Sequence, residues 1–133
     1  MTRYMLDTNL CIYVINARPP EVLARFRQER VGEICVSSVT ATELAYGVAK
    51  SASARNREAP KMFLAPLEVL PFDEAAIWQY GDLRAELERR GQPIGALDTM
   101  IAAHALATHT ALVSNSTREF ERVPGLRLEN WAA

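Results

Sequence analysis

Tyr4-Met5-Leu6-Asp7-Thr8-Asn9-Leu10-Cys11-Ile12 is an apolar run that breaks at a polar turn and resumes at once. Three apolar side chains closed by Asp-Thr-Asn read as a short buried strand stopped at a turn. A helix follows over residues 10–15 and breaks near Pro19-Pro20. Residues 21–29 are helical again, with Val22, Leu23 and Phe26 on one stripe and Pro20 at the first turn. Ile34-Cys35-Val36-Ser37 is a second strand. Thr40-Ala41-Thr42-Glu43 has capping-box spacing and opens a helix through Leu44, Ala45 and Val48. Residues 67–72 form a third strand, and Asp73 caps a long helix to Arg90 with Ala76, Ile77, Tyr80, Leu83 and Leu87 at helical spacing. An apolar helix covers residues 96–108, Ala111-Leu112-Val113 is a fourth strand, and a fifth lies within residues 126–131. Residues 51–60, small, polar and basic, read as a loop, and residues 91–95 as another. Short strands alternating with longer helices predict a mostly parallel sheet covered on both faces. Ligands of such sheets bind at the carboxyl ends of the strands.

The 133 residues make one domain's worth of chain, 49% hydrophobic and 23% charged, which excludes disorder and collagen-like structure. No run approaches a membrane span and the first residues lack a secretory core, so a single cytoplasmic domain over residues 1–133 is expected. The net charge of −1 predicts no polyanion partner from the whole chain. Locally, Lys50, Arg55, Arg57 and Lys61 surround a single acid, Glu58, as either a phosphate-facing patch or a solvated connector. Cys11 and Cys35 lack metal or redox spacing and read as small buried thiols in a reducing compartment.

Three acids fall where element boundaries meet the expected binding edge. Asp7 follows the first strand, Glu43 lies one turn into the helix after the second, and Asp98 opens the helix before the fourth. Converging carboxylates repel unless a cation sits between them, and hard oxygen donors suit Mg²⁺ or Mn²⁺. Each acid also has a purely structural role open to it. Asp7 could satisfy turn amides, Glu43 could complete the Thr40 capping box, and Asp98 could complement a helix dipole. Spacing does not choose between these.

Met5-Leu6-Asp7-Thr8-Asn9, Thr42-Glu43-Leu44-Ala45-Tyr46-Gly47 and Asp98-Thr99-Met100-Ile101-Ala102-Ala103-His104-Ala105 resemble the three ordered motifs of PIN-domain ribonucleases, in particular the VapC toxins of toxin–antitoxin pairs. Ser114-Asn115-Ser116-Thr117-Arg118-Glu119-Phe120, followed by Val123-Pro124-Gly125-Leu126, is similar to the closing motif of that group. The resemblance spans Met1 to Trp131 and implies a three-layer α/β/α sandwich around a mostly parallel sheet, usually paired as a homodimer. It implies metal-dependent hydrolysis of RNA phosphodiesters, with Asp7, Glu43 and Asp98 as catalytic metal ligands for Mg²⁺ or Mn²⁺ and no serine or histidine nucleophile. Many PIN domains carry a fourth acid or an asparagine where this chain has Ser116, and Glu119 is the candidate substitute. Asn9 and Thr8 stand where the motif often supplies polar contacts, with a plain turn role equally open to both. Asn9, Ser116 and Arg118 are the candidate substrate-binding residues, and a surface ion pair with Glu119 or Glu121 is equally open to Arg118.

The partners implied are a VapB-like antitoxin in a hetero-oligomer and a structured RNA such as tRNA, with no membrane. Residues 45–50 and 62–67 are the expected dimer contacts, and Tyr46, Trp78, Tyr80 and Trp131 are expected in the core or that interface rather than stacked on bases. The alternative is a non-catalytic PIN-like module that binds RNA or protein. Two other folds with an aspartate after the first strand fail here. A dehalogenase-type phosphotransferase needs a second aspartate where Asn9 stands, and a receiver needs a late lysine, while Lys50 and Lys61 fall in the first half. His104 and His109, about 140° apart around a helix, do not share a face.

Overall fold

The structure is a computed structural model that describes residues 3–51 and 54–132, and for Ala54, Arg55 and Asn56 the backbone alone. Arg55 of the basic cluster therefore lies outside the described side chains, while Lys50, Arg57 and Lys61 are exposed. β1 (Tyr4–Leu6), β2 (Ile34–Ser37), β3 (Glu68–Leu70), β4 (Ala111–Val113) and β5 (Leu128–Glu129) form one sheet in the order β3-β2-β1-β4-β5. Every neighbouring pair is parallel. Parallel strands need crossovers, and here helices supply them: α1 (Thr8–Asn16), α2 (Pro20–Gln28), α3 (Ser38–Ser51), α4 (Ala54–Leu64), α5 (Glu74–Arg89), α6 (Ala96–Thr108) and a short α7 (Thr117–Phe120).

Successive strand residues point to opposite faces, and both faces are dry. Met5, Cys35 and Leu112 enter a core layer with Leu83, Leu87, Ile101 and Phe120, against α5, α6 and α7. Their neighbours Leu6, Val36 and Val113 enter a second layer with Leu10, Cys11, Val14, Val22 and Leu44, against α1, α2 and α3. The two thiols are buried, unbridged and separated by the sheet. This is the three-layer α/β/α sandwich, and no described helix is long and apolar enough to cross a membrane.

The loop expected over residues 51–60 is overturned where those residues are described: α3 runs to Ser51 and α4 takes up residues 54–60, while residues 52 and 53 lie outside the described residues. The exposed residues of α4 are good helix formers, Arg57, Glu58, Ala59 and Lys61 among them, and Phe63 and Leu64 anchor its end on the core. Tertiary packing holds the turn that Pro60 weakens. Helix α3 overturns the Thr40 capping box. It begins at Ser38, so Thr40 sits inside it, buried, with no hydrogen-bond partner for its hydroxyl among the described residues. Of the aromatics expected in the core or a dimer interface, Trp131 is buried, while Tyr46 and Trp78 are 67% and 69% exposed.

The sheet edges are short and charged. Arg3 pairs with Glu68 on β3. On β5, Glu129 accepts from Arg25 at 3.3 Å and from the Trp131 indole at 3.0 Å, with the Arg25 guanidinium 4.9 Å from the Trp131 ring centre.

His104, buried in α6, lies with Nδ1 2.7 Å from the Ser37 hydroxyl, and Phe72 meets its ring edge-on. Burial pushes its pKa below the ordinary 6.5, against the pull of Asp73 and the Pro71 backbone. As pH falls below 6.5 the unfolded chain takes up a proton that the folded ring resists, so this group withdraws stability on acidification. Urea unfolding of wild type and His104→Gln from pH 7.5 to 5 should show the wild type losing stability relative to the variant below 6.5. A constant difference between the two curves would refute this.

Candidate active site

Residues that end β1 and β4 stand side by side, because Leu6 pairs with Val113 and the Asp7 amide donates to the Val113 carbonyl at 3.0 Å. Asp7 then caps α1 directly, its Oδ1 accepting from the Leu10 amide at 2.9 Å, and only 4% of the residue is exposed. Burial raises its carboxyl pKa above the ordinary value. The Ser114 hydroxyl and the Leu10 amide act against that by hydrogen bonding the carboxylate, and Glu43 adds repulsion.

Glu43, half-buried on α3, accepts a 2.6 Å hydrogen bond from the Thr8 hydroxyl across from α1. The carboxylate is thus aimed at the end of β1, and not back at Thr40. Asp98 is the third residue of α6, behind Gly95, the N-terminal cap. Its pKa rises to about 6, first through burial, then through a hydrogen bond with the Glu119 carboxyl and the charges of Glu119, Asp7 and Glu43. Four acids from four elements therefore act on one another at the carboxyl edge of the central strands. None of them forms an ion pair among the described residues.

As they stand, no three of the described acids, histidines or cysteines close a ready metal cage. The donor chemistry nonetheless fits a hard divalent ion: carboxylate oxygens whose charges raise the pKa of Asp7 and Asp98, with no ion-pair partner among the described residues. Of the remaining expected residues, Asn9 is exposed at the start of α1 and makes no side-chain hydrogen bond among the described residues. Ser116 is half-buried, its amide donating to the Ser114 hydroxyl oxygen at 2.9 Å. Arg118 is exposed beside Glu119 and forms no ion pair among the described residues. His104 lies in the core and serves no part of this edge.

Ser114 was absent from the residues expected in the site. Its signal was positional: it follows β4 as Asp7 follows β1, and adjacent parallel strands bring such residues together. Beside Glu43, a groove of about 360 Å³ opens between α1, α3 and α4, lined by Ile12, Ile15, Leu44, Val48 and Pro60.

The PIN domain model matches residues 4–126. The chain is 47% identical to the tRNA(fMet)-specific endonuclease VapC of Shigella flexneri, over 99% of this chain and 100% of that protein. It is 48% identical to Ribonuclease VapC2 of Haemophilus influenzae, over 98% and 99%. Its fold is similar to a chain in the crystal structure of DNA-bound VapBC from Salmonella typhimurium, with a TM-score of 0.92, 44% identity and coverage of 98% and 99%. VapBC-1 from nontypeable Haemophilus influenzae gives 0.88 and 30%, over 99% and 100%. Matched by the PIN model over residues 4–126 and along nearly its whole length by VapC ribonucleases at 47% and 48% identity, the chain belongs to the PIN-domain family, in the branch of the VapC ribonucleases.

Proposed function

We propose that this chain is the toxin of a toxin–antitoxin pair, a divalent-metal-dependent endoribonuclease that hydrolyses a structured RNA, with tRNA the first candidate. One observation carries the metal reading: Asp7, Glu43, Asp98 and Glu119 gather from separate elements at one sheet edge without a basic partner among them. Asp7, Glu43 and Asp98 would hold Mg²⁺ or Mn²⁺, and Glu119 takes the place that Ser116 leaves without an acid. When bound, such an ion lowers the pKa of a water and offsets charge on the leaving oxygen.

The protein's own part is orientation. Leu10 and Ser114 hydrogen bond the Asp7 carboxylate and oppose the effect of its burial, and Thr8 fixes the rotamer of Glu43. Asp98 and Glu119, whose carboxyls meet, would turn their oxygens to the ion in place of the hydrogen bond between them. Asn9, Ser116 and the exposed Arg118 flank the acids and supply contacts to RNA phosphate and sugar, which an acidic pocket alone would repel.

The name of the Shigella relative, a tRNA(fMet)-specific endonuclease, supports tRNA as the substrate class. The VapBC complexes support a VapB-like antitoxin, and the apolar groove beside Glu43 suits an amphipathic segment of it. Exposed Tyr46 and Met62 support a homodimer built on α3 and α4. The buried, unbridged thiols support a cytoplasmic setting, and one sheet shared by both core layers supports a single domain.

Purified antitoxin-free protein should cut total tRNA into discrete fragments with Mg²⁺ or Mn²⁺ and not with EDTA. Asp7→Asn should lower the rate about 100-fold or more, since a metal site supplies several kcal/mol of charge stabilisation. Metal-independent cleavage, or an Asp7→Asn variant as active as wild type, would sink the mechanism. Ser114→Ala and Thr8→Val each remove one orienting hydrogen bond and should weaken activity or Mn²⁺ affinity by about 10-fold or more. Unchanged Mn²⁺ titrations of both variants would show that these hydroxyls do not orient the acids.

A further inference from the structure

The Asp98 and Glu119 carboxyls meet across two segments that share no secondary structure. Asp98 hangs behind residues 91–95, which are exposed except for the half-buried Ile94, and its helix starts at Gly95 without a side-chain cap. Glu119 rides on α7, whose end is rigid: Phe120 and Val123 are buried, and the Arg122 amide donates to the carbonyl of Glu119 itself at 3.1 Å. From that rigid turn, Arg122 Nη1 reaches across and donates to the Pro93 carbonyl at 3.0 Å. Apart from the carboxyl contact, this is the one side-chain hydrogen bond among the described residues between the two segments.

We propose that Arg122 is a positioning residue which, by clamping the Pro93 carbonyl, holds the Asp98 segment at a fixed distance from Glu119. The inference rests on the reading of these acids as metal ligands. Ionised, the two carboxylates repel and push their segments apart; a charge-assisted bond to a neutral carbonyl resists that motion without neutralising either acid. The sign of its effect distinguishes this role from plain electrostatics. Removing a cation from the rim of an acidic site should by charge alone tighten the binding of a divalent ion, whereas removing a clamp loosens it.

Binding of Mn²⁺ alone, followed by the electron paramagnetic resonance of the free ion, tests this on RNA-free and antitoxin-free full-length protein. Wild type, Arg122→Ala, Arg122→Gln, Arg122→Lys and Asp98→Asn are compared, with thermal melting as the check on folding. Arg122→Ala and Arg122→Gln should bind Mn²⁺ about 10-fold more weakly, the scale of an orienting contact behind a metal ligand, while melting as wild type does. Arg122→Lys keeps a donor and should stay within about 3-fold of wild type. Affinity unchanged or tighter in both the Ala and Gln variants overturns the proposal, including the case in which they weaken only RNA binding. Wild type that binds Mn²⁺ no better than Asp98→Asn overturns the metal reading itself, and the clamp with it.

Discussion

Four carboxylates held within reach of one another's charge are the constraint on which the functional edge of this protein depends. Burial and like charge both oppose ionisation in this cleft, and Asp98, raised to about 6 by burial first and by its acidic neighbours after it, registers both. The chain answers with short, directional bonds rather than with basic side chains. An amide and a hydroxyl hold Asp7, a hydroxyl holds Glu43, and Glu119 is carried on a turn pinned by Phe120. Neutral donors leave the net negative charge in place, which is what the proposed metal requires.

The sheet delivers these groups. Placing β1 between β2 and β4 puts the ends of three parallel strands side by side, and each end passes directly into a functional element. Asp7 alone separates β1 from α1, β2 leads into α3 with Glu43, and Ser114 follows β4. Three-residue strands suffice because alternate side chains lock into two separate core layers, so a slip in register would exchange one layer's residues for the other's.

Much of this was legible in the sequence. The strands at Tyr4, Ile34 and Ala111 were continuous apolar runs, as burial on both faces demands, and the Asp73 cap marked α5. Spacing located Asp7, Glu43 and Asp98 near strand ends without joining them, because convergence is set by strand order, which local pattern does not encode; only the family resemblance implied a shared site. The Thr40 box misled because Thr-x-x-Glu spacing exists inside a helix as readily as at its start. The bond that claims Glu43 comes from Thr8, 35 residues away. Helix α4 was hidden because small, polar and basic residues suit a loop as well as an exposed helix face, and Phe63 and Leu64, which anchor it, lie beyond that stretch. Glu119 was a candidate by proximity to Ser116, and only the placement of α7 against the start of α6 brings its carboxyl to Asp98.

Every parallel sheet that does not close has two borders with open backbone groups, and these invite other strands to add on. Here the borders are a three-residue and a two-residue strand, each carrying a glutamate engaged by an arginine. An incoming strand would find too few backbone groups to pair with and would have to displace Arg3 from Glu68 or Arg25 from Glu129 and Trp131. The same contacts that finish the fold therefore guard the two open borders of the sheet against strand addition.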